Sequence, residues 1–253
     1  WNGSLRSNAT VHVAFVASRK GSNPPATGFT LNNQPCTGSG AGATSTTSSG
    51  TPTATTGTGI LPSTFRWSSS GQLISPKPDS AHRIISVKDP TVVRYNNEWL
   101  VYFTVYSQAC GWNLGMTKFG DWSQAASAPM YFLDTSGIGA GYRAAPNLFY
   151  FAPQQLWYLV YQTGLPSYST STNPADPNSW SAPKNFMNSM PPIVSQNIGN
   201  GYWLDYFVTC DDVNCHLFSS DDNGHVYRAQ TSMANFPNGW GSTVIALSDT
   251  RGT

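Results

Sequence analysis

The sequence predicts an all-β fold, a β-propeller with about three blades present, and three observations carry that reading. The first is an internal repeat. KDPTVVRYNNEWLVYFTVYS (88–107), AAPNLFYFAPQQLWYLVYQTG (144–164) and LDYFVTCDDVNCHLFSSDDNG (204–224) align. Each joins a short apolar strand through a polar turn to an aromatic-rich second strand, which is hairpin chemistry. Asp89, Ala145 and Asp205 hold the same place in the three units, at intervals of 56 and 60 residues. The second observation is a marker with independent spacing: Trp122, Trp180 and Trp240 close the units at intervals of 58 and 60. The third is composition, with 23 Gly, 18 Pro and 13% aromatic residues, as a turn-rich β protein requires. A repeat of this length with three or four strands is the signature of propeller blades. The competing reading is a sandwich with chance similarity. Residues 64–253 supply just over three units, so the domain is expected to be incomplete at its C-terminus.

The elements before the repeat read differently. Residues 1–37 alternate apolar and polar side chains at Val11, Val13 and Phe15, then at Phe29 and Leu31, with turn signals at NG and NPP. Two or three strands in so short a segment are too few for an independently stable sandwich. Residues 38–60 begin GSGAGATSTTSSGTPTATTG and carry no charge, aromatic or large apolar side chain up to Gly59. Such a stretch cannot bury enough surface to offset its ordering entropy, so it reads as a linker, with a long structured loop as the alternative. The partial propeller then occupies residues 61–253.

Composition narrows the function classes. Charged residues make up 10% of the chain and the net charge is +1, which argues against a nucleic-acid binder. No apolar run approaches the roughly 18 residues of a membrane span. Trp1 has neither an initiator Met nor a basic segment before it, so the chain is expected to be cut at its N-terminus. Cys36, Cys110, Cys210 and Cys215 show no C-x-x-C spacing, which disfavours a zinc or redox motif. Cys210 and Cys215 flank DDVN in a hairpin, where either a disulfide or two free thiols would fit. The four His show no metal spacing. SSDDNGH (219–225) lacks the spacing and terminal Glu of a calcium loop and reads as a hairpin turn. Asn2 and Asn8 begin glycosylation sequons.

Acid–base chemistry must draw on eleven Asp and one Glu, Glu98. In a propeller the innermost strand of each blade lines the channel, and a residue at its entry looks into the channel mouth. Asp89 and Asp205 hold that entry in the first and third units, while the second has Ala145, with Arg143 just before it. Two carboxylates facing one cavity are a layout for glycoside hydrolysis. An inverting glycosidase sets a general base and a general acid about 6.5–9.5 Å apart. The acid keeps a raised pKa through burial or a neighbouring carboxylate. The structural alternative is that the two aspartates cap turns or pair with basic neighbours such as Lys88.

Longer motifs carry a family resemblance. LPSTFRWSSSGQLISPKPDSAHRIISVKDPTVV, DWSQA, GYRAAPNLFYFAPQQLWYLVYQTG, WSAPKNF, QNIGNGYWLDYFVTCDDVNCHLFSSDDNGHVYRAQT and FPNGW resemble glycoside hydrolase family 62 from Leu61 to about Thr250. The resemblance implies a five-bladed propeller and an inverting α-L-arabinofuranosidase that removes arabinose side chains from arabinoxylan. It implies Asp89, in VKDP, as general base, and Asp205, in YWLDYF, as the group that sets the acid's pKa and orientation. Lys88 is implied to line the arabinose pocket. Arg143 and Trp203 are further substrate-binding candidates, chosen from their strand-entry position. The family's general acid is a Glu beyond the segment matching ALSDT, and Glu98 lies in the NNE turn at the far end from Asp89. The chain as it stands is therefore expected to be inactive. The family also carries a channel calcium, although no cofactor is expected to be required and no ligand is assigned. Likewise WNG, the GSNPP run and Cys36 resemble the C-terminal end of a family 2 carbohydrate-binding module, whose remnant would span residues 1–37. That module, when complete, would hold cellulose or xylan. A secreted, extracellular monomer that binds neither nucleic acid nor membrane is expected. The alternatives are a carbohydrate-binding propeller without catalysis, and a related five-bladed xylosidase or arabinanase.

Overall fold

The computed structural model describes residues 29–31, 34–36 and 69–249. It divides the chain into two units, Trp1–Ser70 and Gly71–Thr253. In the first unit β1 (Phe29–Leu31) pairs antiparallel with β2 (Gln34–Cys36), Phe29 opposite Cys36. The remaining readings for residues 1–37 and for the 38–60 linker lie outside the described residues.

The described residues of the second unit are all-β apart from one short helix and three 3-10 turns, in three antiparallel four-stranded sheets. The first sheet runs β3 (Ile84–Tyr95), β4 (Glu98–Ser107), β5 (Gly111–Phe119) and β6 (Met130–Phe132). The second runs β7 (Ala144–Phe151), β8 (Leu156–Gln162), β9 (Pro166–Ser171) and β10 (Lys184–Asn185). Helix α1 (Pro192–Asn197) then leads to the third, β11 (Trp203–Cys210), β12 (Asn214–Asp221), β13 (His225–Ser232) and β14 (Val244–Ser248). Each sheet is thus a meander in chain order. β7 packs against β3 and β4, and β11 against β7 and β8, so the first strands of neighbouring sheets lie side by side.

The repeat maps onto this order. The NN turn joins β3 to β4 with Asn96 and Asn97 at φ 46° and 63°, the left-handed pair that a two-residue hairpin demands. Gln155 takes φ 55° after the 3-10 turn Ala152–Gln154 between β7 and β8. Asp211 turns the third hairpin by accepting the N–H groups of Val213 and Asn214. The three marker tryptophans all fall in the connection from third to fourth strand. Trp122 opens a 3-10 turn capped by Asp121, Trp180 is buried against Tyr102, and Trp240 donates to the Pro237 carbonyl. Cys210 and Cys215, opposite each other on β11 and β12, form a disulfide, and Cys110 is a free, exposed thiol.

The second strand of each of the first two sheets is buried on both faces, and period-2 alternation sorts its side chains. On β4, Leu100 and Tyr102 pack toward the second sheet against Leu148, Leu159, Tyr161 and Trp180, while Val101, Phe103 and Val105 pack with Ile84 and Phe119 on the other face. On β8, Leu159 and Tyr161 face that first interface, and Tyr158 and Val160 face the third sheet with Trp203, Tyr206 and Val208. Continuous apolar runs such as WLVYFTV and LWYLVY follow from this two-sided burial.

Candidate active site

Asp89, Ala145 and Asp205, equivalent in the repeat, share a backbone state. Their φ angles are 53°, 51° and 56°, all left-handed, and each sits in a β-bulge. Asp89 and Pro90 oppose Phe103 alone, Ala145 and Pro146 oppose Tyr161, and Asp205 and Tyr206 oppose Ser219. A bulge re-aims the side chain it carries and interrupts the ladder, so a proline with no N–H fits the following position. A left-handed non-glycine residue costs about 1–3 kcal/mol and persists only where its surroundings over-determine it. Three such residues in register mark one end of the sheets as strained.

The bonds that hold them come from neighbouring strands. Thr104, fully buried opposite Lys88, accepts the Ala145 N–H at 2.8 Å and donates to Asp89 Oδ2 at 2.8 Å. Gln162, opposite Ala144, accepts the Asp205 N–H at 2.9 Å through Oε1 and donates through Nε2 to the Tyr142 hydroxyl. Ser220, opposite Leu204, donates to Asp205 Oδ2 at 3.4 Å. A second pair of ties lies one step along: Thr91 accepts the Leu148 N–H, and Asn147 Oδ1 accepts the Val208 N–H. Thr104, Gln162, Thr91 and Asn147 thus each reach from one sheet to the next, while Ser220 bonds Asp205 within its own sheet.

The sequence candidates fall into two groups. Lys88, Asp89 and Asp205 come together. Lys88 Nζ lies 3.4 Å from Asp89 Oδ2 and 4.9 Å over the Trp112 ring, which tilts against Tyr106 at 4.4 Å. The Asp205 carboxyl, still solvent-accessible, is pushed above the usual aspartate range, first by partial desolvation and then by the negative charge of Asp89. Lys88 and the Ser220 bond oppose that rise, and Asp222 adds to it. Two coupled carboxylates with one raised pKa are the electrostatic pattern of paired acid–base groups. Arg143 and Trp203 have partners within the fold. Arg143 donates to the Tyr142 and Ile138 carbonyls, bracing the loop before β7. Trp203 is buried in the core, donating to Ser219 Oγ at 2.7 Å and packing edge-on against Tyr206.

Thr104, Gln162, Ser220 and Tyr142 were not singled out from sequence. The first three stand at intervals of 58 and 58 residues, a signal present in the aligned repeat. Glu98 stands at the start of β4, opposite Tyr95 and 4.0 Å from Lys118, at the other end of the hairpin from Asp89. The SSDDNGH turn spends the Asp221 carboxylate on the N–H groups of Asn223 and His225 and on the Tyr227 hydroxyl. Among the described residues no three His, Cys, Asp or Glu side chains gather as a metal-ligand group.

Propeller-type sheets carrying two neighbouring aspartates on equivalent bulges suit a glycoside hydrolase, and comparison with known proteins gives that class. The model of Glycosyl hydrolase family 62 matches residues 66–253, and the chain belongs to that family. It is 38% identical over 192 residues to alpha-L-arabinofuranosidase C of Cellvibrio japonicus, covering 76% of this chain and 28% of that protein. Its fold is similar to the catalytic domain of the Coprinopsis cinerea family 62 α-L-arabinofuranosidase, with TM-score 0.72 and 56% identity over 75% of this chain and 59% of that one. It is similar too to the α-L-arabinofuranosidase of Podospora anserina solved with cellotriose, with TM-score 0.68 and 49% identity over 71% of this chain and 56% of that one. The chain therefore spans less than two thirds of the length of these relatives.

Proposed function

We propose that the protein is an inverting α-L-arabinofuranosidase acting on the arabinosyl side chains of arabinoxylan. The observation that carries this is the pairing of Asp89 with Asp205 on equivalent left-handed bulges, inside a chain of family 62. Asp89 takes the proton of the attacking water as oxygen bonds to the arabinose anomeric carbon. The bond to the xylose oxygen breaks on the opposite face, and that oxygen is protonated by a general acid. Asp205 sets the pKa and orientation of the acid, and Lys88 lines the arabinose pocket.

Glu98 stands at the far end of the hairpin from Asp89, and the proton donor is proposed to be the glutamate that the family 62 resemblance implies beyond the segment matching ALSDT. The chain alone is accordingly proposed to release no arabinose. The whole enzyme is proposed to be a secreted, five-bladed monomer joined to a carbohydrate-binding module. The cellotriose complex of the Podospora relative supports a polysaccharide as substrate.

The test uses the chain extended by the C-terminal residues that its longer relatives carry, assayed on wheat arabinoxylan and on linear arabinan. Asp89→Ala is expected to lower arabinose release from arabinoxylan at least about a hundredfold, the usual contribution of a general base. Hydrolysis that survives Asp89→Ala refutes the assignment. Sugar binding without hydrolysis in the unsubstituted protein points to a lectin, and preference for arabinan to a related hydrolase.

A further inference from the structure

Among the described residues the Asp205 carboxyl has one loose direct anchor, the Ser220 hydroxyl at 3.4 Å. Its backbone is held much better. Gln162, 7% exposed, has one amide and uses both ends of it. The Asp205 N–H can meet only Oε1, so Nε2 must face the Tyr142 hydroxyl, and the amide has a single satisfied orientation. Tyr142 is 44% exposed at the mouth, three residues before Ala145, as Tyr202 is three residues before Asp205.

We propose that Gln162 is a positioning residue for Asp205, fixing its left-handed backbone and tying the placement of its carboxylate to Tyr142 at the rim of the mouth. Parity along β8 explains why Gln162 can do this. It lies on the same face as Tyr158 and Val160, the face that packs on the third sheet. Thr104 has the same relation to the second sheet through Leu100 and Tyr102. The side chain that closes one sheet's bulge pair therefore steadies the next sheet's bulge. The inference rests on the role given to Asp205 under the proposed function. The groups facing Asp205 are Asp89, Lys88, Asp222 and Ser220, and Tyr206 follows it in the bulge.

The test is carbon-13 NMR titration of the aspartate side-chain carboxyls in the full 253-residue chain. The Asp205 signal is identified by its loss in Asp205→Asn. Unsubstituted protein is expected to show Asp205 titrating above the ordinary range, for the causes already given. Gln162→Met removes both hydrogen bonds and should bring the Asp205 midpoint down as the carboxyl relaxes into water. Gln162→Glu keeps the acceptor for the Asp205 N–H and adds a negative charge, so the midpoint should stay up or rise further. Tyr142→Phe, at an exposed ring, should give a smaller downward shift and decides the matter if Gln162→Met does not fold. Asp211, held down at about 2 by backbone N–H groups and His216, should not move in any variant. An Asp205 titration unchanged in both Gln162→Met and Tyr142→Phe overturns the inference and leaves the role of Asp205 standing. An ordinary midpoint in the unsubstituted chain overturns that role, and the inference with it.

Discussion

Replacing Thr104 with Val keeps nearly the same shape and deletes one oxygen. That oxygen is fully buried and has two partners, the Ala145 N–H and Asp89 Oδ2, both at 2.8 Å. Losing the acceptor orphans the Ala145 N–H, which costs about 1–3 kcal/mol. Losing the donor removes a bond to a carboxylate, worth about 1.5–3 kcal/mol when well shielded. Asp89 is 21% exposed, so water recovers part of the second term. A net loss of about 3 kcal/mol follows, which for a unit of this size lowers Tm by about 6–12 °C. Thr104→Ser retains the hydroxyl and gives up one methyl, for about 1 kcal/mol. Thermal unfolding measures the difference, and amide hydrogen exchange at Ala145 localises it. Exchange should be slow in the unsubstituted and Ser proteins and fast in the Val variant. A Val variant within about 0.5 kcal/mol of the parent, with Ala145 still protected, would refute the reasoning, because no buried donor could then have lost its partner.

Two other outcomes follow from the titrating groups. The folded pKa of Asp205 lies above its ordinary value of 3.8, so the folded state holds that proton longer than the unfolded chain, and stability falls as pH rises through the window above 3.8. Asp205→Asn should therefore unfold at a higher temperature than the parent at pH 7, and destabilisation there would contradict the charge repulsion assigned to the pair. His82 lies between Asp79 and Asp134, whose carboxylates outweigh the opposing effect of its burial and raise its pKa above 6.5. Its contribution to stability is complete below 6.5 and is lost as pH rises through the raised folded value. Melting curves from about pH 5.5 to 8.5 should show that loss in the parent and a flatter profile in His82→Gln. Equal slopes would mean that the His82 pKa does not differ between the folded and unfolded chain.

Hairpins were the most legible part of the fold in the sequence. The NN, PQQ and DDVN turns and the aromatic strands after them follow from local backbone preference and two-sided burial, both written in short windows. The equivalence of Asp89, Ala145 and Asp205 was legible as spacing, and the structure gives it a backbone meaning: one bulge, three times. The short outer strands β6 and β10, of three and two residues, carry too few side chains to leave a pattern. Arg143 stands just before β7 and Trp203 opens β11, positions that a sequence places near the strand entries. Alternation turned the indole into the core, and the guanidinium found loop carbonyls. Thr104 and Gln162 sit inside apolar strands, where a hydroxyl or amide looks like ordinary strand filler until its partner three strands on is known.

The direction of these ties has a consequence for synthesis on the ribosome. Thr91 and Thr104 belong to the first sheet and serve N–H groups of the second, and Asn147 and Gln162 belong to the second and serve the third. Every acceptor therefore precedes its donor in the chain. A nascent protein emerging N-terminus first carries each landing point before the strand that needs it is made. The N–H of Ala145, and later that of Asp205, finds its acceptor already made, while each bulge closes when its paired strand, β8 or β12, follows.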